Sequence, residues 1–252
     1  MRWLCLLALL MTAPAAKAEE VVLGLSKDKV AITTSFDGSD ILIFGAVKRE
    51  QPIAATPLQV VITVAGPSHP VTVRRKERRL GIWVNTEAVE VDAAPSFYAV
   101  ATTGPLSQVL SQTENQRHQI SIDRAIRSVG APMAIADAEN FTEAVIRIRE
   151  RSGLYQMLEG QVALDQQTLF RTAIDMPADL TEGAYAIRIF LTRDGAVVSN
   201  YETSIDVRKV GLERWLYSLS RNQPMLYGLM SLAIAIAAGW GASTAFRLLR
   251  NS

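Results

Sequence analysis

The chain has 252 residues, with 26 lysines and arginines against 25 aspartates and glutamates, and its formal net charge is +1. Such a balance lacks the basic footprint of a nucleic-acid-binding protein, so that class of function is excluded. The length is sufficient for one or two domains with packed cores.

Residues 1–18 have the pattern of a secretory signal peptide. Arg2 gives a positive start, residues 3–11 are apolar, and Ala16-Lys17-Ala18 fits an A-x-A cleavage site. We predict that this peptide is removed and takes Cys5, the only cysteine, with it. The mature chain then has no thiol for a disulfide, a nucleophile or a metal site. An uncleaved N-terminal anchor is the alternative.

Residues 19–106 are predicted to form a first β-sandwich region. Short apolar and β-branched runs follow each other with Gly, Pro, Asn or Asp between them, and no helical period interrupts them. The run from Ile41 to Val47 is almost continuously apolar, which predicts a strand that is buried on both faces.

A strongly basic run lies between two of these predicted strands and contains Arg74, Arg75, Lys76, Arg78 and Arg79. An exposed hairpin tip is the ordinary explanation for such a run. The alternative is that these side chains contact anionic lipid headgroups or an acidic partner.

Residues 107–153 are predicted to be a helical connecting segment. In a first helix, Ile122 and Ile126 lie on one face, and Asp123 is placed to pair with Arg127 four residues later.

The second helix of this segment has signals at both ends. Asn140 is suited to cap its N-terminus, and Gly153 lies where a C′ glycine belongs. We expect its arginines, Arg147, Arg149 and Arg151, on a solvated face.

Residues 154–209 are predicted to form a second, immunoglobulin-like β-sandwich region. Hairpin turns are expected around residues 165–167 and at residues 193–195. The L-x-x-G-x-Y spacing that ends at Tyr185 is typical of a tyrosine corner, in which the tyrosine hydroxyl bonds to upstream backbone.

Residues 224–246 are uncharged, and as a helix they would reach about 34 Å, enough for a bilayer core of about 30 Å. We predict a single transmembrane helix in the inner membrane. The N-terminal part is expected in the periplasm, and residues 247–252 are expected to be a cytoplasmic tail.

Small residues recur at every fourth position of this predicted span, in the order Ser231, Ala235, Gly239 and Ser243. Such a ridge allows another transmembrane helix to approach closely. We predict a helix partner, either another membrane protein or a second copy of the chain. The alternative is that the ridge only reflects the high frequency of small residues in spans.

Residues 210–223 are predicted to be an amphipathic juxtamembrane segment. Trp215 and Tyr217 are residue types that prefer the membrane interface. A short interfacial helix and a plain extension of the span both fit this pattern.

The sequence gives no support for an enzyme. His69 and His118 are the only histidines, and no zinc-protease, nucleophile-elbow or phosphate-loop motif is present. We therefore expect no catalytic residue, no cofactor and no metal site.

Several phrases resemble the alphaproteobacterial putative transmembrane protein family (Alph_Pro_TM-like). They lie at residues 64–67, 71–85, 95–98 and 183–185, and the terminal span fits as well. The resemblance extends over most of the mature chain, and it implies a membrane protein without assigning any catalytic residue. It also implies an association with permeases of the sulfite-exporter type.

The expected fold is mainly β, with two immunoglobulin-like or related sandwich regions, a short helical segment between them and one C-terminal transmembrane helix. The expected function is that of a non-catalytic accessory or interaction subunit of another membrane protein. The alternative is a membrane-tethered periplasmic module that binds a ligand.

Overall fold

The computed structural model describes residues 19–26, 29–32, 38–49, 52, 55–128, 138–209 and 212–250. These residues form two units. One is a β body with the described residues up to Val30 and from 38 to Val207, and the other is a helical unit from Arg208 onward that also includes Ala31 and Ile32. The predicted signal peptide, residues 1–18, lies outside the described residues.

The described strands are β1 (Glu19–Leu25), β2 (Lys29–Ile32), β3 (Ser39–Arg49), β4 (Gln59–Ala65), β5 (Ser68–Arg79), β6 (Ile82–Pro95), β7 (Tyr98–Thr102), β8 (Tyr155–Leu158), β9 (Ala163–Asp165), β10 (Leu169–Met176), β11 (Gly183–Arg193) and β12 (Ala196–Lys209). The described helices are α1 (Leu106–Val109), α2 (Gln112–His118), α3 (Ile122–Ala125), α4 (Ala138–Arg151), α5 (Leu212–Asn222) and α6 (Pro224–Arg250). The predicted composition, mainly β with a helical segment and a C-terminal apolar helix, is confirmed.

Two sheets combine strands from both ends of the β body. A four-stranded sheet has the order β1-β3-β10-β9, and a six-stranded sheet has the order β2-β12-β11-β4-β7-β8. The β5–β6 hairpin is a separate two-stranded sheet. Strands of the predicted first region therefore pair with strands of the second, β3 with β10 and β4 with β11. The two regions therefore share their sheets. The sequence does not show this, because an alternating pattern specifies which face of a strand is buried but not which strand lies beside it.

Burial differs between β3 and β4 in a way that the sequence pattern does not show. In β3 the buried Ile41 and Ile43 alternate with Leu42 and Phe44, which are 43% and 44% exposed, so the prediction of burial on both faces is wrong. In β4 the five residues from Val60 to Val64 are all buried. β4 lies between β11 and β7 with both faces covered, whereas β3 has one face open to solvent.

The first helix of the connecting segment is shorter than predicted. α3 ends at Ala125, and Ile126 is extended, so Asp123 and Arg127 do not form the expected pair within one helix. Arg127 instead exchanges two backbone hydrogen bonds with Ala93 of β6, at 2.9 and 3.1 Å. This pairing to the sheet replaces the last predicted turn of helix.

The second helix begins earlier than predicted and ends as predicted. α4 starts at Ala138, so Asn140 lies inside the first turn and the prediction of an N-cap there is wrong. At the other end, the N–H of Leu154 donates to the carbonyl of Arg149 at 2.9 Å. The N–H of Gly153 donates to Glu150 at 3.0 Å, with φ +72° at Gly153. This bond pattern confirms Gly153 as the C′ residue of a Schellman motif.

The tyrosine corner is confirmed as a hydrogen bond. The hydroxyl of Tyr185, which is fully buried, donates to the backbone carbonyl of Thr181 at 2.8 Å. Its ring packs against Phe97, with centroids 6.1 Å apart. Asp194 and Gly195, with φ +49° and +77°, form the predicted turn between β11 and β12. Positive φ at both central residues is typical of a type I′ hairpin turn.

Candidate membrane anchor and interaction surfaces

α6 is the apolar helix that the sequence predicts as a membrane span. Its window from Pro224 to Ser243 is long and apolar enough to cross a bilayer, and none of that window is buried in protein. Ile236 and Trp240 are 65% and 74% exposed. A buried core helix of the same composition would be surrounded by side chains, whereas this helix leaves its apolar surface to be covered by lipid.

A break separates the juxtamembrane helix from the span. α5 ends at Asn222, Gln223 is not helical, and α6 begins with Pro224, a residue suited to the first helical position. Helical hydrogen bonds still adjoin this break, from the N–H of Gln223 to the carbonyl of Leu219 at 2.9 Å and from the N–H of Tyr227 to the carbonyl of Gln223 at 3.1 Å, so α5 leads into the span with an interruption at Pro224. Trp215 and Tyr217 are 51% and 63% exposed on α5, as residues that would enter an interface must be.

The small-residue ridge is open along α6. Ser231, Ala235, Gly239 and Ser243 are all exposed. A Cβ placed on Gly239 would meet no atom within 4 Å. The Ser231 hydroxyl donates to the carbonyl of Gly228 at 2.9 Å, so its polar group is satisfied within the helix. The ridge therefore presents a smooth surface to a neighbouring helix.

The basic run lies on a strand and not in a turn. Arg74 to Arg79 belong to β5, and the turn of the hairpin is Leu80-Gly81. Arg75 is bonded to Glu87 at 2.8 Å, and its guanidinium lies 4.8 Å above the ring of Phe141 in α4. These contacts tie Arg75, one member of the predicted set of anion contacts, to the β body.

The remaining members of that set are exposed on the hairpin, namely Arg74, Lys76, Arg78 and Arg79. Arg79 forms a pair with Glu77 at 3.3 Å, and both side chains are at the surface. Exposed pairs of this kind are weak, so Arg79 can exchange its partner for another anion.

Arg149 does not lie on a solvated face, contrary to the prediction. Its guanidinium donates to the hydroxyl of Tyr155 at 2.7 Å and to the carbonyl of Pro95. The Tyr155 hydroxyl in turn donates to Pro95 at 2.8 Å. Burial raises the pKa of Tyr155, and the Arg149 charge opposes that shift only in part. Tyr155 is therefore neutral, and together with the Arg149 cation it forms a structural link between α4, β6 and β8.

A second buried tyrosine ties the helices α2 and α3 to the sheet. The Tyr98 hydroxyl donates to the carbonyl of Ile120 at 2.8 Å. Arg188 donates to the same hydroxyl at 3.3 Å and to the carbonyl of His118 at 2.8 Å. Burial raises the pKa of Tyr98, so it stays neutral. These links join residues 22 to 90 positions apart, so no short sequence pattern marks them.

A shallow cleft lies at the ends of β3 and β10, lined by residues 38–40, Gly153, Gln156 and residues 175–177. Asp40 and Asp175 are direct cross-strand partners here. A hydrogen bond from the protonated Asp175 carboxyl to the Asp40 carboxylate raises the pKa of Asp175, and partial burial and the Asp40 charge add to the shift. The two carboxyls can share a proton. In the described parts of the chain, no group of three or more His, Cys, Asp or Glu side chains could hold a metal ion.

A family model described as "Putative transmembrane protein (Alph_Pro_TM)" matches residues 20–248. Comparison with curated protein sequences gives no match. Among solved structures, the chain is similar to the sporulation control protein Spo0M from Bacillus subtilis, with 12% identity and a TM-score of 0.28. The alignment covers 81% of this chain and 55% of Spo0M, so this chain spans only about half of that protein. A likeness at this score carries no argument about fold or function.

Proposed function

The chain belongs to the Alph_Pro_TM family of transmembrane proteins, and we propose that it is a non-catalytic accessory subunit of another membrane protein. α6 anchors it, and the ridge of α6 docks onto a helix of the partner. The observation that carries the proposal is the exposed run of small residues at every fourth position of α6, namely Ser231, Ala235, Gly239 and Ser243.

Association of helices in lipid depends on close packing rather than on the hydrophobic effect, because lipid tails are as apolar as the side chains. A ridge of small residues permits that close approach of two backbones. Large side chains elsewhere on α6, such as Leu229, Leu232 and Ile236, are about 60% exposed and are suited to lipid contact. The helix thus offers one face for a helix partner and leaves the rest for lipid.

The topology follows from the sequence expectation of a cleaved signal peptide at residues 1–18. Such a peptide commits the β body to the periplasm and leaves the residues after the span in the cytoplasm. In this arrangement the inner membrane holds α6. The family resemblance makes a permease of the sulfite-exporter type the candidate partner.

The test is co-purification of the full-length chain from native membranes in a mild detergent. The ridge variant combines Ala235→Ile with Gly239→Ile. The matched control combines Ala237→Ile with Gly241→Ile, which adds the same bulk about 200° around the helix. We expect a membrane protein to co-purify with the native chain and with the control, and to be lost from the ridge variant.

Two outcomes contradict the proposal. Recovery of only a second, differently tagged copy of the chain would make the ridge a homodimer contact. Recovery of no protein at all would favour the alternative, a membrane-tethered module that binds a ligand in the periplasm. The cleft beside Asp40 and Asp175 would then be the first place to examine for that ligand.

A further inference from the structure

The β5–β6 hairpin has an inner half that is packed and an outer half that is not. In the sheets of the described residues, β5 and β6 pair only with each other, and twelve residues of β5 span about 40 Å. In the inner half Val89 and Val91 are fully buried. Arg75 closes this half through its bond to Glu87 and its stacking on Phe141. Beyond Arg75 the hairpin is held by its own pairing.

The tip of the outer half is apolar. Leu80 is fully exposed, Trp83 is 69% exposed and Ile82 is 64% exposed. Among the described residues of the β body, these three large hydrophobic side chains are the most exposed. Their concentration in four consecutive positions marks an interaction site rather than scattered surface residues.

Both faces of the tip carry this apolar surface. Arg78 lies directly opposite Trp83, and Arg79 lies directly opposite Ile82. Neighbouring positions of a strand point to opposite faces, so each face has one arginine beside one apolar side chain. A hairpin that packs on a protein surface needs only one apolar face. A tip that is surrounded by an apolar phase needs apolar side chains on both faces.

The turn residue also lacks a structural explanation. Leu80 and Gly81 have φ +50° and +87°, the pattern of a type I′ turn. Asn, Asp and Gly favour the first of these positions, and a leucine there is strained. The Leu80 side chain gains no packing in return, since it is fully exposed. Neither the conformation of the turn nor packing in the core therefore explains why residue 80 is apolar.

The charge around the tip is positive. Residues 76–85 contain Lys76, Arg78 and Arg79 against Glu77 alone, which gives a net charge of +2. Basic side chains beside apolar ones, with a tryptophan among them, are the composition that binds the interface of an anionic bilayer.

We propose that the tip of the β5–β6 hairpin inserts into an anionic membrane surface. Leu80, Ile82 and Trp83 enter the boundary between headgroups and acyl chains. Lys76, Arg78 and Arg79 bind the lipid phosphates, and Arg79 leaves Glu77 to do so. This second contact with lipid does not depend on a partner for α6, because it uses other residues and another part of the chain.

The experiment uses the full-length chain in nanodiscs of phosphatidylcholine alone or with one third phosphatidylglycerol. In a Cys5→Ser background, a nitroxide is attached at Leu80→Cys, and a control nitroxide at Val198→Cys, an exposed position of β12. The ratio of collisions with oxygen to collisions with a water-soluble nickel complex reports depth in lipid. We expect this ratio to rise several-fold at position 80 in anionic discs and to stay unchanged at position 198.

When Arg78→Gln and Arg79→Gln are added to the labelled chain, the collision ratio at position 80 should fall to the value of a label in water. An unchanged unfolding temperature shows that this variant is folded. A label at position 80 that is as accessible to nickel as the control overturns the proposal. Equal protection in neutral discs overturns the requirement for anionic lipid. Protection that occurs only in native membranes assigns the tip to a protein partner instead, and likewise overturns insertion into lipid.

Discussion

Ile62 in β4 and Ile236 in α6 are the same residue type at opposite extremes of exposure, 0% and 65%. The β body encloses Ile62 in protein, where it lies beside Ile189 and Ala101 on the neighbouring strands. α6 turns its isoleucines outward and has no protein over them in its apolar window. The hydrophobic side chains in the core of the β body are therefore covered by protein, whereas those of α6 are suited to lipid.

The difference has consequences for what each unit can tolerate. In the β body a side chain must match the shape of its neighbours, because protein interiors are as densely packed as organic crystals. In α6 the lipid adapts to the side chain, and the backbone hydrogen bonds are all satisfied within the helix. Shape matters on α6 only along the face that meets another helix.

The largest expected effect is a matched pair of isoleucine truncations. Ile62→Ala leaves a cavity on a covered face of β4, and we expect it to lower the free energy of unfolding of the β body by about 2–5 kcal/mol. Ile236→Ala removes the same atoms from a surface that faces lipid or detergent, and no change is expected. Thermal unfolding of both full-length variants in detergent, followed by circular dichroism of the strands, measures the contrast. A comparable loss in both variants would show that α6 is packed against protein after all.

The sequence predicts the two kinds of unit well, and it does so because each has a local signal. The span is visible as a long uncharged run, and the tyrosine corner at Tyr185 and the C′ glycine at Gly153 are visible as short spacings. The structure confirms these two spacings as hydrogen bonds. Each of them joins residues only a few positions apart, so a short stretch of sequence contains the whole motif.

The pairing of distant strands has no comparable signal. Two separate sandwich regions are predicted, yet β10 pairs with β3 and β11 with β4. Arg149 looks like one more surface arginine until its bonds to Tyr155 and Pro95 are seen. The apolar hairpin tip escapes notice because Ile82 and Trp83 read as an ordinary strand, and only the turn at Leu80 places them beside the basic run. All of these depend on residues that tertiary structure brings together.

A smaller loss of stability is expected from removing a buried polar group. Such groups occur in the β body and must be hydrogen-bonded there. Tyr185→Phe keeps the ring and removes the hydroxyl that bonds to Thr181. We expect the free energy of unfolding to fall by about 1 kcal/mol, the usual net value of one hydrogen bond. The matched control is Tyr201→Phe in β12, where the side chain is 38% exposed and water replaces any lost contact. An equal loss in the two variants would remove the tyrosine corner as a source of stability.

The smallest effect on stability is expected at the Asp40–Asp175 pair in the cleft, because these side chains are surrounded by neither protein nor lipid. The pKa of Asp175 is raised in the folded chain, mainly by its hydrogen bond with Asp40. The folded state therefore holds this proton more tightly than the unfolded state. The resulting stability is complete below the pKa of the unfolded chain, and it is lost as the pH rises through the raised folded value.

At neutral pH the two carboxylates repel each other, so Asp175→Asn should raise the free energy of unfolding. Because both groups are exposed and screened, the gain should not exceed a few tenths of a kcal/mol. It should vanish at acid pH, where Asp175 of the native chain is already protonated. Asp40→Asn should give the same gain, and the double variant should add nothing, since one neutral partner ends the repulsion. Unfolding temperatures of the three variants at neutral and acid pH test this, and additive gains would show that the two carboxylates do not repel each other.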